Sequence, residues 1–138
     1  MPVQWTDDLA TGIAKIDAQH RELYRAVSSL HEAMRQDRLD EVPVTLEFLG
    51  SYVVEHFATE EEEMAQASYP DLAGHHAIHR EFVEEFLRYQ QRFEVEGVTA
   101  SLVVELSHWL VEWLRNHVRR TDGAMALYLR AWRAAARS

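Results

Sequence analysis

The sequence of 138 residues contains no cysteine, and it has only three prolines and five glycines. The lack of cysteine excludes disulfides, zinc sites built on thiolates and iron–sulfur clusters. No stretch approaches the roughly 18 consecutive apolar residues of a membrane-spanning helix. The N-terminal segment MPVQWTDDLA has neither the basic start nor the apolar run of a signal peptide. We therefore expect a soluble, cytoplasmic protein without a membrane span.

Basic residues are also few, because 14 Lys and Arg stand against 23 Asp and Glu and leave a net charge of −9 at pH 7. Binding to nucleic acid phosphates requires clustered lysine and arginine, so this balance argues against a nucleic-acid partner. Hydrophobic residues make up 47% of the chain and charged residues 27%, which is typical of a globular protein. From the length, we expect residues 1–138 to form a single domain.

Apolar residues recur at every third or fourth position in four segments, which is the spacing of a helix with one buried face. The segments cover residues 16–34, about 42–66, 72–93 and about 99–118. The sequence SYPD at 68–71 separates the second segment from the third, since proline interrupts helices and aspartate can cap the helix that follows.

The ends of the later segments complete this pattern. Gly97 is expected to end the third helix, and a short amphipathic segment from Met125 to Trp132 follows the fourth. Few runs of β-branched residues and no alternation typical of strands are present. We therefore predict an all-α fold, an up-down antiparallel four-helix bundle with a short C-terminal helix.

The segment 74-GHHAIHREF-82 contains three of the eight histidines in the chain. Residues four apart on a helix are separated by about 40° around the axis and roughly 6 Å along it, so His75 and His79 point together toward the core. His76 is rotated by about 100° and is expected at the edge of the helix. Two interpretations of the inward pair stay open at this point, hydrogen-bonded core histidines or metal ligands.

Each of the other helices also carries a residue that can bind metal within its apolar stripe. These residues are His20, the i,i+4 pair His56 and Glu60, and His117 with Asp122 just beyond it. Buried imidazoles and carboxylates without partners are costly, and a bound metal would be a partner for all of them. The pattern therefore favours a metal site in the core of the bundle.

Four consecutive glutamates follow His56 by one to two helical turns. Glu61 and Glu62 rotate away from the face of His56, and we interpret them as a solvated charged surface. Glu60 and Glu63 return to that face, but Glu63 lies about 10 Å along the axis and is expected near the edge of the bundle. Only Glu60 is expected to share a metal centre with His56.

The chain resembles the bacterial hemerythrin family over nearly its whole length. The motifs that carry the resemblance are 12-GIAKIDAQHREL-23, 56-HFATEEEEM-64, 69-YPDLAGHHAIHREF-82 and 113-WLRNHVRRTD-122. They contain all seven ligand types at the seven expected positions.

The resemblance implies an oxo- or hydroxo-bridged centre of two iron ions. One iron would be held by His75, His79 and His117, and the other by His20 and His56. Glu60 and Asp122 would bridge the two irons. The resemblance also implies an oxygen pocket, lined by Leu23, Phe57, Trp113, Leu114 and Val118.

The number of ligands indicates how such a centre would function. Two octahedral irons have about twelve coordination positions. Five imidazoles, two bridging carboxylates and one bridging oxide or hydroxide fill all but one, which lies on the iron with two histidines and suits a small diatomic molecule. Carboxylate-rich di-iron sites use two Glu-x-x-His pairs, but the chain offers one, Glu105 and His108, and we interpret His108 as a surface histidine.

The position of Asp122 predicts an irregular helix. Five residues separate it from His117, which in an ideal helix is a rotation of about 140°, so the two side chains would diverge, whereas the metal centre that the resemblance implies requires both. We therefore predict a widened turn, bend or helix end between Val118 and Asp122. The C-terminal helix is expected to restart near Asp122 or Gly123.

The expected function is reversible binding of dioxygen at a non-haem di-iron centre, for storage, transport or delivery to enzymes that require oxygen. We expect no enzymatic activity, a monomer, and an oxygen-consuming enzyme as a partner. Two alternatives stay open, a sensor of oxygen or redox state and a di-iron protein that handles nitric oxide or peroxide.

Overall fold

The computed structural model describes residues 5–137, which form five α-helices and no strand. The helices are α1 (Ala14–Arg35), α2 (Val42–Gln66), α3 (Leu72–Glu96), α4 (Ala100–Asn116) and α5 (Asp122–Ala136). Short 3₁₀ turns precede α1 at Asp7–Leu9 and α2 at Leu39–Glu41, and a π-helical turn, His117–Thr121, joins α4 to α5. None of the helices in the described part of the chain combines the length and hydrophobicity that crossing a membrane requires.

The first four helices form the predicted up-down antiparallel bundle. α1 packs against both α2 and α4, and α2 packs against α3. Short connections between successive helices place them antiparallel. The all-α prediction and the short C-terminal helix are confirmed, and α2 has the predicted bounds of 42–66.

Two helix ends follow local sequence signals, and a third does not. Gly97 ends α3 with a φ of 84°, a left-handed conformation that favours glycine. Thr99 caps α4, because its hydroxyl oxygen accepts a hydrogen bond of 3.2 Å from the Leu102 N–H. Asp71 occupies the N-cap position of α3, but its side chain makes no capping hydrogen bond.

An apolar core fills the space between the helices. The buried ring of Phe82 on α3 lies 4.8 Å from the ring of Trp109 and 4.3 Å from that of Trp113, two partly buried residues of α4 that pack against the core. A smaller apolar cluster, formed with Ile16 and Met64 among others, anchors α5 onto α1 and α2. Both clusters enclose the polar residues described below.

The π-helical turn is the irregularity predicted between Val118 and Asp122. The Asp122 N–H donates to the carbonyl of His117, a hydrogen bond across five residues that widens the turn. His117 and Asp122 are both buried, and α5 begins at Asp122. The widened turn and the restart of the helix are therefore confirmed.

Candidate metal centre

Seven buried residues that can bind metal converge toward one end of the bundle, and every helix or turn around that end contributes at least one. They are His20 from α1, His56 and Glu60 from α2, His75 and His79 from α3, His117 from the π turn and Asp122 from the start of α5. All seven are among the residues singled out from the sequence. The structure therefore brings together the complete predicted set.

The seven residues form two overlapping groups, within each of which the nearest ligand atoms all lie within 4.8 Å of one another. One group contains Glu60, His75, His79, His117 and Asp122. The other contains His20, His56, Glu60 and Asp122. The two groups share the two carboxylates, so the geometry divides the histidines into three and two.

The carboxylate of Glu60 faces both groups. One of its oxygens lies 3.0 Å from Nε2 of His56 and 3.2 Å from Nε2 of His20. The other oxygen lies 3.1 Å from Nε2 of His79 and 3.3 Å from Nε2 of His75. This is the arrangement expected of a carboxylate that bridges two metal positions.

The two carboxylate oxygens of Asp122 are shared between the two groups in the same way. Its Oδ2 lies 3.0 Å from Nε2 of His20, and its Oδ1 lies 3.1 Å from Nε2 of His75 and 3.0 Å from Nε2 of His117. Despite these distances, neither oxygen has an aligned hydrogen-bond partner within residues 5–137. Short but misaligned contacts are expected when imidazole and carboxylate are both directed at a common point between them.

The donor set fits a transition metal. Imidazole nitrogens and carboxylate oxygens together suit iron among the metals that proteins bind. Among residues 5–137, both carboxylate oxygens of Asp122 are buried without an aligned hydrogen-bond partner, which is costly for an ionised group, and a metal would be the missing partner. The residues present therefore fit the two iron ions that the sequence resemblance implies.

The carboxylates change the pKa values of the histidines around them. Burial disfavours the charged form of His20, but the close carboxylates of Asp122 and Glu60 outweigh it and raise the pKa of His20 to about 9. The same balance raises the pKa of His75 to about 9 and also raises that of His117. Protons and metal therefore compete for the same imidazole nitrogens.

The carboxylates shift in the opposite direction. Burial raises the pKa of Glu60, but the surrounding imidazoles, His56 foremost, outweigh burial and hold that pKa well below its usual range. The pKa of Asp122 is also lowered, because His117 and His20 outweigh burial and the charge of Glu60. Both carboxylates are thus held ionised, as metal binding requires.

Two of the histidines are oriented by partners on the far side of the ring. Nδ1 of His56 lies 2.7 Å from the amide oxygen of Gln19, and Nδ1 of His79 lies 2.8 Å from one carboxylate oxygen of Glu61. The other oxygen of Glu61 lies 2.7 Å from Nδ1 of His76. These hydrogen bonds leave both Nε2 atoms directed into the cluster.

The interpretation of Glu61 as solvated surface charge was therefore wrong. Its side chain turns away from His56, as expected, but in that direction it meets α3, which packs beside α2. Gln19 was not singled out at all, although its position next to His20 was a usable signal. The placement of Glu63 at the edge is confirmed, since it is partly exposed and pairs with Arg133.

The histidines of α3 have the predicted orientations. His75 and His79 are 1% and 2% exposed. The side chain of His76 is 54% exposed. The rotation assigned to this helix from its apolar spacing is confirmed.

An apolar cavity adjoins the cluster. All five residues predicted for the oxygen pocket line it, namely Leu23, Phe57, Trp113, Leu114 and Val118. Val53 and Phe82 also belong to its wall, and the sequence did not distinguish them from ordinary core residues. The cavity volume of about 10 Å³ is room for roughly one water-sized molecule.

Aromatic rings separate the imidazoles from the rest of the core. The Phe57 ring stacks on His79 with a centroid distance of 3.8 Å and an interplanar angle of 7°. The Trp113 ring stacks on His117 at 4.2 Å and 15°. Stacking at these distances restricts rotation of both imidazoles and excludes water from one face of each.

We predict that the metal-free protein loses stability as the pH rises from 6.5 to about 9. His20 and His75 have pKa values of about 9 in the folded chain against an ordinary 6.5. Their contribution to the free energy of unfolding is therefore complete below pH 6.5 and is lost as the pH passes 9. Thermal unfolding between pH 6 and 10 measures this, and a midpoint that stays constant or rises would contradict it. Metal-loaded protein is the control, because its imidazoles are not free to titrate.

Metal removal should also loosen the π-helical turn. Binding at both His117 and Asp122 favours the widened geometry between them, so without metal the amides of residues 117–121 should exchange hydrogen faster. Hydrogen exchange of the metal-free and metal-loaded forms measures this, with buried amides near Leu30 and Leu49 as internal references. Equal protection of 117–121 in both forms would indicate that packing alone maintains the turn.

Comparison with known proteins identifies the family of the chain. Residues 11–129 match the hemerythrin HHE cation binding domain. A bacteriohemerythrin of Stenotrophomonas maltophilia (strain R551-3) is 36% identical over 128 residues, which cover 92% of this chain and 81% of that protein. A myohemerythrin of Theromyzon tessulatum is 32% identical over 121 residues, with 88% of each chain covered.

A solved structure supports the same assignment. The crystal structure of a wild-type hemerythrin is similar to this one with a TM-score of 0.80 and 29% sequence identity, over 91% of this chain and 96% of that chain. The family match also spans all seven clustered residues, from His20 to Asp122. This chain belongs to the hemerythrin family.

Proposed function

We propose that this protein holds two iron ions in the seven-residue cluster and binds dioxygen reversibly beside them, without catalysing a reaction. The observation that carries the proposal is that two groups of buried ligands share two carboxylates and border an apolar cavity with room for one small molecule. One iron is assigned to His75, His79 and His117, and the other to His20 and His56. Glu60 and Asp122 are assigned as bridging ligands.

The unequal number of histidines supports ligand binding on one side of the centre. The group with two histidines has fewer donors than an octahedral metal requires, which leaves room for an added ligand. Both of its histidines, His20 and His56, line the apolar cavity. Of the three histidines in the other group, only His117 also lines this cavity, so the side with fewer ligands contributes the larger share of the imidazoles that face it.

Two bound irons supply the electrons that a reversible interaction with dioxygen requires. The residues of the chain position this centre and control access to it. Phe57, Trp113 and Leu114 present apolar surface to the cavity, and entry of water or ions into such surroundings is costly. Excluding water in this way slows irreversible oxidation, which a carrier must avoid.

The same proposal includes a monomer that works in the cytoplasm and delivers oxygen to an oxygen-consuming enzyme. The net charge of −9 supports the monomer, since like charges oppose self-association. Sedimentation of the iron-loaded protein at low salt tests this part, and a dimer at micromolar concentration would contradict it.

Protein purified without oxygen should contain two irons per chain, and its visible spectrum should change on exposure to oxygen and recover when oxygen is removed. The reason is the two-group cluster with an incomplete ligand set beside the cavity. Metal analysis and anaerobic spectroscopy measure the two properties. The proposed function would be overturned by a content of one iron per chain or by a preference for zinc. A reduced form whose spectrum does not change on exposure to oxygen would also overturn it.

Substitution of two nearby histidines on α3 should distinguish a metal ligand from a surface residue by its effect on the oxygen-dependent spectrum. His79→Ala should abolish the oxygen-dependent spectrum, because it removes an Nε2 that lies 3.1 Å from the shared carboxylate of Glu60. His76→Ala removes a half-exposed ring whose hydrogen bond goes to Glu61, and it should retain the spectrum, because all seven candidate ligands remain and Glu61 contacts His79 through its other oxygen. The two variants are matched in helix and chemistry, so equal losses would show that the ligand assignment on α3 is incorrect.

A further inference from the structure

Two of the candidate ligands have hydrogen-bond partners of different charge behind their rings. His56 belongs to the group of two histidines, and its Nδ1 meets the neutral amide oxygen of Gln19 at 2.7 Å. His79 belongs to the group of three, and its Nδ1 meets the carboxylate of Glu61 at 2.8 Å. The two sides of the cluster thus differ in their outer partners as well as in their number of histidines.

The carboxylate of Glu61 is held at both of its oxygens. One oxygen accepts from His79, and the other lies 2.7 Å from Nδ1 of His76, one helical turn earlier on α3. The Glu61 side chain is 26% exposed, and that of His76 is 54% exposed. A surface histidine therefore fixes the rotamer of a carboxylate that itself contacts a candidate ligand. Gln19 is also held, because its amide NH₂ donates to the hydroxyl of Thr59 at 3.3 Å.

An acceptor at Nδ1 affects a metal-binding histidine in two ways. It fixes the tautomer and the plane of the ring, so that the lone pair of Nε2 points at the metal. An anionic acceptor also makes the imidazole more basic and a stronger electron donor, and hydrogen bonds to a charged group are roughly twice as strong as neutral ones. Gln19 provides the first effect for His56, whereas Glu61 provides both for His79.

We propose that Glu61 is an anionic positioning residue that fixes His79 and makes the iron site of His75, His79 and His117 the more electron-rich of the two. His76 holds the Glu61 carboxylate in place, and Gln19 is the neutral counterpart on the other side. The inference rests on the proposed di-iron function and deepens it. It implies that the negative charge of Glu61 favours the oxidised, more positive state of the centre.

Four variants test the inference, three at Glu61 and Glu62 and one at Gln19. Glu61→Gln keeps an oxygen that can accept from Nδ1–H of His79 but removes the charge, whereas Glu61→Ala removes both. Glu62→Gln is the matched control, because it removes the same charge from the adjacent residue, which is exposed on the same helix. The two measurements are the affinity of the metal-free protein for Co²⁺ and the midpoint potential of the iron-loaded protein by spectroelectrochemistry.

The expected results distinguish the positioning of His79 by Glu61 from the effect of the negative charge of Glu61. Glu61→Ala should lower the affinity for Co²⁺ by about 10- to 100-fold, the usual effect of losing an outer partner of a metal ligand. Glu61→Gln should retain most of the affinity but raise the midpoint potential, and Glu62→Gln should change neither. Gln19→Glu, which adds a charge behind His56, should lower the potential.

The outcomes also separate this inference from the function on which it rests. Two results would overturn the inference and leave the proposed function intact. One is that Glu61→Gln and Glu62→Gln both have the midpoint potential of the unaltered protein. The other is that Glu61→Ala retains full affinity for Co²⁺. Unaltered protein that binds fewer than two Co²⁺ and fewer than two irons per chain would overturn the proposed function and the inference together. Circular dichroism of each metal-free variant checks folding, and the near-isosteric Glu61→Gln variant decides the result if Glu61→Ala does not fold.

Discussion

The burial of two carboxylates among five imidazoles is the constraint on which the rest of the structure depends. Glu60 and Asp122 are completely buried in the core of a bundle that is otherwise apolar around them. Ionised groups in such a place require opposite charge close by, from protonated histidines or from metal. α1, α2, α3, the π-helical turn and α5 therefore each contribute part of one polar cluster, and separating these elements there would leave a charged group unpaired.

This constraint also accounts for the least regular part of the backbone. A straight α4 would carry Asp122 to the wrong side of the helix, about 140° from His117. The π-helical turn corrects this rotation, and the packing of Met125 and Leu129 against Ile16 and Met64 holds the following helix in its new direction. Local geometry, apolar packing and the polar cluster thus all favour the same conformation of residues 117–129.

Sequence periodicity was sufficient for whatever depends on a single helix. It predicted the bounds of α2 and the inward direction of His75 and His79, and, together with the ligand set that the family resemblance implies, the distortion between His117 and Asp122. It could not predict contacts set by the distance and rotation between two helices. Glu61 faces away from the cluster on its own helix and contacts His79 only because α3 lies beside α2. Val53 and Phe82 were missed as cavity residues for a related reason, since apolar residues look alike in sequence whether they border a cavity or fill the core.

The apolar cavity and the carboxylate of Glu61 lie on different sides of the cluster. The cavity borders His20, His56 and His117, whereas Glu61 contacts His79, which is not part of the cavity wall. Phe57 connects the two sides, because it lines the cavity and stacks on His79. A bulky substitution at Phe57 would therefore affect both sides together, while a change of charge at Glu61 acts from outside the cavity wall. On the proposed function, the electron-donating strength of the centre can therefore be altered through the charge of Glu61 without changing the wall that controls ligand access, whereas a change at Phe57 alters both.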